Sequence, residues 1–150
     1  MPPYRSARVL IVARRTADSP QLIATIARRA GEGPCNFTLL VPSFPRGLHR
    51  VGDPSDPAQR AAERRIAAAV PLLSRAAGSE VVAVIGAPEP FTAVRDALHL
   101  MGFDEVIVST LPPRVSRWLH IELPARIRAL GVPVTQVTGA DVPVPPLSAA

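Results

Sequence analysis

With 150 residues, 47% of them hydrophobic, the chain is long enough for one domain that buries about two-thirds of its unfolded surface, which argues against disorder. No apolar run approaches the roughly 20 residues of a membrane span, and the single Cys35 excludes an internal disulfide and fits a reducing cytoplasm. The formal charge of +5 comes from 17 basic residues, all Arg, but they are scattered and aromatics are only 4%, so a nucleic-acid partner is disfavoured.

In chain order, residues 9–13 (VLIVA) form a short apolar run that reads as a first strand. Pro20 opens a helix whose stripe is Ile23, Ile26, Ala27 and Ala30, at i, i+3, i+4 and i+7, with Gly31 past its end. A second strand spans 37–41, and residues 42–55 form a long connection expected to act as a flap. Asp56, Pro57 and Gln59 read as a capping box for a second helix, striped by Ile66, Ala69, Val70 and Leu73 and closed by Gly78. Pro71 inside that helix predicts a kink. A third strand at 81–85 precedes a helix that begins at Pro88 or Pro90, carries Phe91, Val94, Leu98 and Met101, and stops at Gly102. Strand 106–108, a helix between Pro124 and Gly131, and strand 132–137 complete the order.

Apolar runs of this length suit strands covered on both faces. The expected fold is α/β: a Rossmann-like, five-stranded parallel sheet of order 3-2-1-4-5, with helices on both faces. The domain occupies 1–137, and 138–150 is a Pro-rich tail.

In an open parallel sheet of this order, ligands bind beyond the carboxyl ends of the first and fourth strands. Arg14, Arg15, Thr16, Ala17, Asp18 and Ser19 leave the first; Ser109, Thr110 and residues 111–118, including Arg114, Ser116, Arg117 and Trp118, leave the fourth. Hydroxyls and guanidinium forks of this kind suit oxyanions. The alternative assigns Arg114 and Arg117 to surface ion pairs and lets Ser109 and Thr110 merely end a strand. His49, His99 and His120 have no metal-site spacing, and His99 reads as structural. Nothing near Cys35 argues for a depressed pKa, and Trp118 reads as packed against the sheet edge. There is no P-loop, nucleophile elbow or catalytic constellation.

The segment DEVIVSTLPPRVSRWLHIELPARIRALGVPVTQV resembles the C-terminal third of a universal stress protein, and RVLIVARRTADSP and VVAVIGAPEPFTAVRDAL extend the resemblance. Gly86 matches the glycine that ends that family's third strand. The family's Gly-x2-Gly-x9-Gly-Ser/Thr signature falls instead on Ser109, Pro112, Glu122 and Leu123, and Arg14 stands where nucleotide-binding members carry Asp. Pro112 has no N–H to offer a phosphate, and Glu122 sets a carboxylate just before the helix begun by Pro124.

The resemblance implies a non-enzymatic stress-response or regulatory module, and the departures from its signature imply a degenerate nucleotide or anion site; the absence of Lys with abundant Ala and Pro suggests a G+C-rich bacterial genome. Candidate ligand residues are Arg14, Thr16, Gly86, Ser109, Thr110, Arg114, Ser116 and Arg117. No cofactor is required, no metal is expected, and adenine nucleotide is disfavoured. The resemblance also implies a homodimer through the fifth strand, whose edge holds Val132, Pro133, Val134 and Val137. The competing expectation is an enzyme or binding protein for a small phosphorylated or carboxylated metabolite, using Arg14, Arg114 and Arg117. A receiver domain is excluded, since two Arg follow the first strand in place of acidic metal ligands and the chain has no Lys.

Overall fold

Five strands and four helices alternate in the computed structural model, which describes residues 6–42, 57–112 and 122–139, with 57–59 as backbone alone. The order is β1 (Ala7–Val12), α1 (Pro20–Gly31), β2 (Cys35–Pro42), α2 (Pro57–Ala77), β3 (Val82–Gly86), α3 (Pro90–Leu100), β4 (Glu105–Thr110), α4 (Leu123–Arg128) and β5 (Val134–Thr138). All neighbouring strands are parallel, and the sheet order is β3-β2-β1-β4-β5.

Alternation along the strands divides the apolar side chains between two cores. Val9, Ile11, Phe37, Leu39, Val41 and Ile107 face Leu22 and Ile26 of α1 and Ala69 and Leu73 of α2. Leu10, Val12, Leu40, Val106 and Val108 face Ala93 and Val94 of α3 and Leu123 and Ile127 of α4. Fully burying one such side chain is worth about 1.5–3 kcal/mol, so both faces hold the sheet between helices.

The helix starts follow local chemistry. Ser19 caps α1, its Oγ accepting from the Leu22 N–H at 3.2 Å, and Pro20 fills the first helical position. Glu89 does the same for α3, its carboxylate accepting from the Thr92 N–H ahead of Pro90. At the ends, Gly78 and Gly102 turn the chain with φ of 71° and 75°. Gly31 does not: α1 continues through it and is capped at Glu32, whose N–H donates to the Arg29 carbonyl. α2 runs unbroken through Pro71, which lies on its exposed side, where water can satisfy the carbonyl left without a donor.

Ser109 and Thr110, expected to follow the fourth strand, are its last two residues, because β5 offers Val137 and Thr138 as partners. β5 itself reaches Thr138, and the Gly139 N–H donates to the Thr110 carbonyl at 2.8 Å. The capping box on Asp56 and Gln59, most of the 42–55 connection and the tail beyond Gly139 lie outside the described residues.

Candidate functional site

Strand order reverses between β1 and β4, and a ligand crevice in such a sheet lies beyond their carboxyl ends. Val12 pairs with Val108, so Ser109 and Thr110 continue past the end of β1 alongside β5. The β1–α1 turn folds back over them. Thr16 Oγ1 and Ser109 Oγ share a buried hydrogen bond of 2.6 Å, with the two residues only 3% and 7% exposed. The Thr16 carbonyl accepts from the Ser19 N–H at 3.0 Å, which fixes the turn against the cap of α1.

Gly139 completes the closure. A Cβ there would stand 2.8 Å from Thr16 Cγ2, 2.9 Å from Thr16 Cβ and 3.2 Å from Ser19 Oγ. Only a residue without a side chain lets β5 come this near the turn. Three segments distant in sequence are thereby drawn together, and no buried side-chain nitrogen or oxygen among the described residues lacks a hydrogen-bond partner. At the switch point the Thr16 and Ser109 hydroxyls satisfy each other.

One recess there has a volume of about 40 Å³. Val12, Val108, Pro42, Pro90 and Leu123 give it apolar walls, with Ser109, Thr110 and Arg14 at the edge. Sites that enclose a small organic ligand commonly span about 300–1,000 Å³. This recess alone holds a few waters.

Arg14 follows β1 at an exposed position. Partial burial of its guanidinium, and then the like charges of Arg65 and Arg15, lower its pKa from the ordinary arginine range. The structure therefore gathers Arg14, Thr16, Ser109 and Thr110 at one end of the sheet. Gly86 ends β3 at the same rim, paired with Pro42 of the pocket wall, where an added Cβ would meet Leu40 Cδ1 at 2.7 Å and Ala93 Cβ at 2.9 Å. Its missing side chain lets α3 approach the sheet. Arg114, Ser116, Arg117, Trp118, His49 and His120 lie outside the described residues.

Other sequence expectations meet their surroundings here. Glu122 precedes α4 but makes no capping bond, because its own backbone is already helical, at φ −77° and ψ −41°, and its side chain is exposed. His99 is exposed rather than packed. Cys35 is half-buried, and burial pushes its thiol pKa up. Among the described residues no three His, Cys, Asp or Glu side chains converge as metal ligands, and no helix is long and apolar enough to cross a membrane. Sequence reasoning missed Gly139, whose only signal is a glycine directly after the last strand, and Arg65, whose link to Arg14 needs the docking of α2.

No family model matches the sequence, and no curated protein does either. Solved structures do match. The universal stress protein from Archaeoglobus fulgidus in complex with dAMP superposes with a TM-score of 0.60 at 16% identity, over 90% of this chain and 99% of that one. A second structure of universal stress protein from Archaeoglobus fulgidus gives 0.60 at 15% identity, over 88% and 93%. A protein of the universal stress protein family from Burkholderia pseudomallei gives 0.59 at 12% identity, over 93% and 99%. With the strand order and the two-faced core described above, the chain has the universal stress protein fold.

Proposed function

We propose that this chain is a non-enzymatic regulatory or stress-response module of the universal-stress-protein kind, whose β1/β4 crevice no longer takes adenine nucleotide. The observation that carries this reading is the buried Thr16–Ser109 hydrogen bond, which commits to each other the two hydroxyls best placed to meet a ligand. Gly139 packed on Thr16 supports it by filling the space behind them. One similar structure is a complex with dAMP, so a mononucleotide is the reference ligand for a crevice of this fold. Here the corresponding strand ends offer Pro112, which has no N–H, and mainly apolar walls.

The test is thermal unfolding with dAMP, ATP, cyclic AMP and inorganic triphosphate. A ligand at 100 times its Kd stabilises by about 2.7 kcal/mol, a rise of roughly 5–11 °C at this size. The expected outcome is that the adenosine moiety adds nothing: dAMP is silent, and ATP does no better than triphosphate. A rise of that order with dAMP overturns the reading.

The same reading makes the module a homodimer. β5 is a sheet edge, and strand pairing across a two-fold axis would cover it. Sedimentation at tens of micromolar is expected to give twice the chain mass, and a monomer there refutes the dimer.

A further inference from the structure

A second recess lies outside the crevice, on the α1/α2 side of the sheet. Ala61, Arg64 and Arg65 share one face of α2, at i, i+3 and i+4. With Asp18 of the β1–α1 turn they line an open pocket of about 300 Å³. The packing of α1 and α2 on a common core brings this helix face up to the turn. Arg65 and Arg15 are both near enough to Arg14 to repel its charge. Folding thus places Arg64 and Arg65 beside Asp18, with Arg14 close to Arg65 and Arg15. Among the described residues no hydrogen bond or ion pair engages Arg64 or Arg65. A guanidinium presents five donors in a rigid fork that matches phosphate oxygens.

We propose that this pocket binds a phosphate-class oligoanion, such as pyrophosphate or the diphosphate end of a larger molecule. Arg64 and Arg65 donate to its oxygens, and Arg14 and Arg15 supply the surrounding positive field. Asp18 sets the limit of the site, because an anion must approach from the arginine side of the pocket to avoid its carboxylate. The site is separate from the β1/β4 crevice and does not require that crevice to be closed.

The experiment is calorimetric titration of the full chain with sodium pyrophosphate, together with thermal unfolding in pyrophosphate and in sodium chloride of equal ionic strength. Multivalent phosphates also stabilise proteins by exclusion from their surface, which raises every variant alike. The deciding quantity is therefore the difference between the native chain and Arg65→Gln or Arg64→Gln; the second replaces an exposed residue, so folding is not at stake. At ten times its Kd, pyrophosphate is expected to raise the native chain's Tm by about 4 °C more than that of either variant. Affinity in the titration should fall at least tenfold, as expected for losing one charge-assisted pair worth about 1.5–3 kcal/mol. Equal rises in all three proteins, or equal titration curves, overturn the proposal. ATP that stabilises Arg65→Gln as strongly as the native chain would count against the closed crevice instead, and the pyrophosphate titration decides the pocket either way.

Discussion

The β1/β4 crevice and the α2 pocket lie on either side of Arg14 and handle polarity in opposite ways. At the crevice, Thr16 and Ser109 are buried and hydrogen-bonded to each other, and Gly139 closes the space around them. At the pocket, Arg64 and Arg65 stand in an open recess with like charge nearby and one carboxylate, Asp18, at the rim. A polar group whose partner lies inside the protein makes no demand on a ligand, whereas gathered cations gain from any anion that enters. Position on the fold identifies where a site is expected, and the partners of its polar groups decide what a ligand there could gain.

Four substitutions sharpen that contrast. Gly139→Ala drives a methyl group to within 3 Å of Thr16 and is expected to cost about 2 kcal/mol, lowering Tm by roughly 4–8 °C in calorimetry. An unchanged Tm would mean that the crevice is roomier than described. Thr16→Val keeps the shape but strands the buried Ser109 hydroxyl, at a cost of about 1.5 kcal/mol in denaturant unfolding. Ser109→Ala added to it should cost less than Ser109→Ala alone, with a coupling of about 1 kcal/mol; strictly additive effects would show that the two hydroxyls do not depend on each other. Arg65→Gln acts in the other direction. Removing the repulsion at Arg14 is expected to stabilise the anion-free chain by only about 0.3 kcal/mol, since solvent screens exposed charges. The gain should disappear in 1 M salt, where charges interact over roughly 3 Å.

The pH behaviour of that last pair follows from the sign of the shift. Arg14 binds its proton less tightly in the folded chain, so the penalty is fully present wherever both states are protonated and is relieved only as pH rises toward the arginine range. Between pH 5 and 8 the gain from Arg65→Gln should therefore be flat.

The partition into strands and helices was legible because local signals agree at each junction. Pro20 and Pro90 start helices and Gly78, Gly102 and Gly131 follow them, while unbroken apolar runs mark strands covered on both faces. The exact ends were less legible. Ser109 and Thr110 look like loop residues until β5 is seen to pair with them, and Gly31 looks like a stop signal although α1 passes through it. The site was the least legible part. Thr16 and Ser109 are 93 residues apart, and nothing local to either announces that register and a tight turn will join their hydroxyls. Arg14 and Arg65 meet only once α2 has docked beside α1. Sequence reasoning could name Arg14, Thr16, Ser109 and Thr110 as neighbours of the crevice, but whether they would face a ligand or each other depended on contacts of long range.

The opposite rim of the sheet is fastened differently. The Arg8 N–H donates to the Asp104 carboxylate while the Asp104 N–H donates to the Arg8 carbonyl, both at 2.8 Å. The Arg8 side chain reaches the Met101 carbonyl and lies over the Phe103 ring, and Arg29 grips Glu105 through two hydrogen bonds. This seam ties the entrances of β1 and β4 to each other and to the ends of α1 and α3. A rearrangement at the far rim would have to break the pairing of β1 with β4 and of β4 with β5 before it reached this seam.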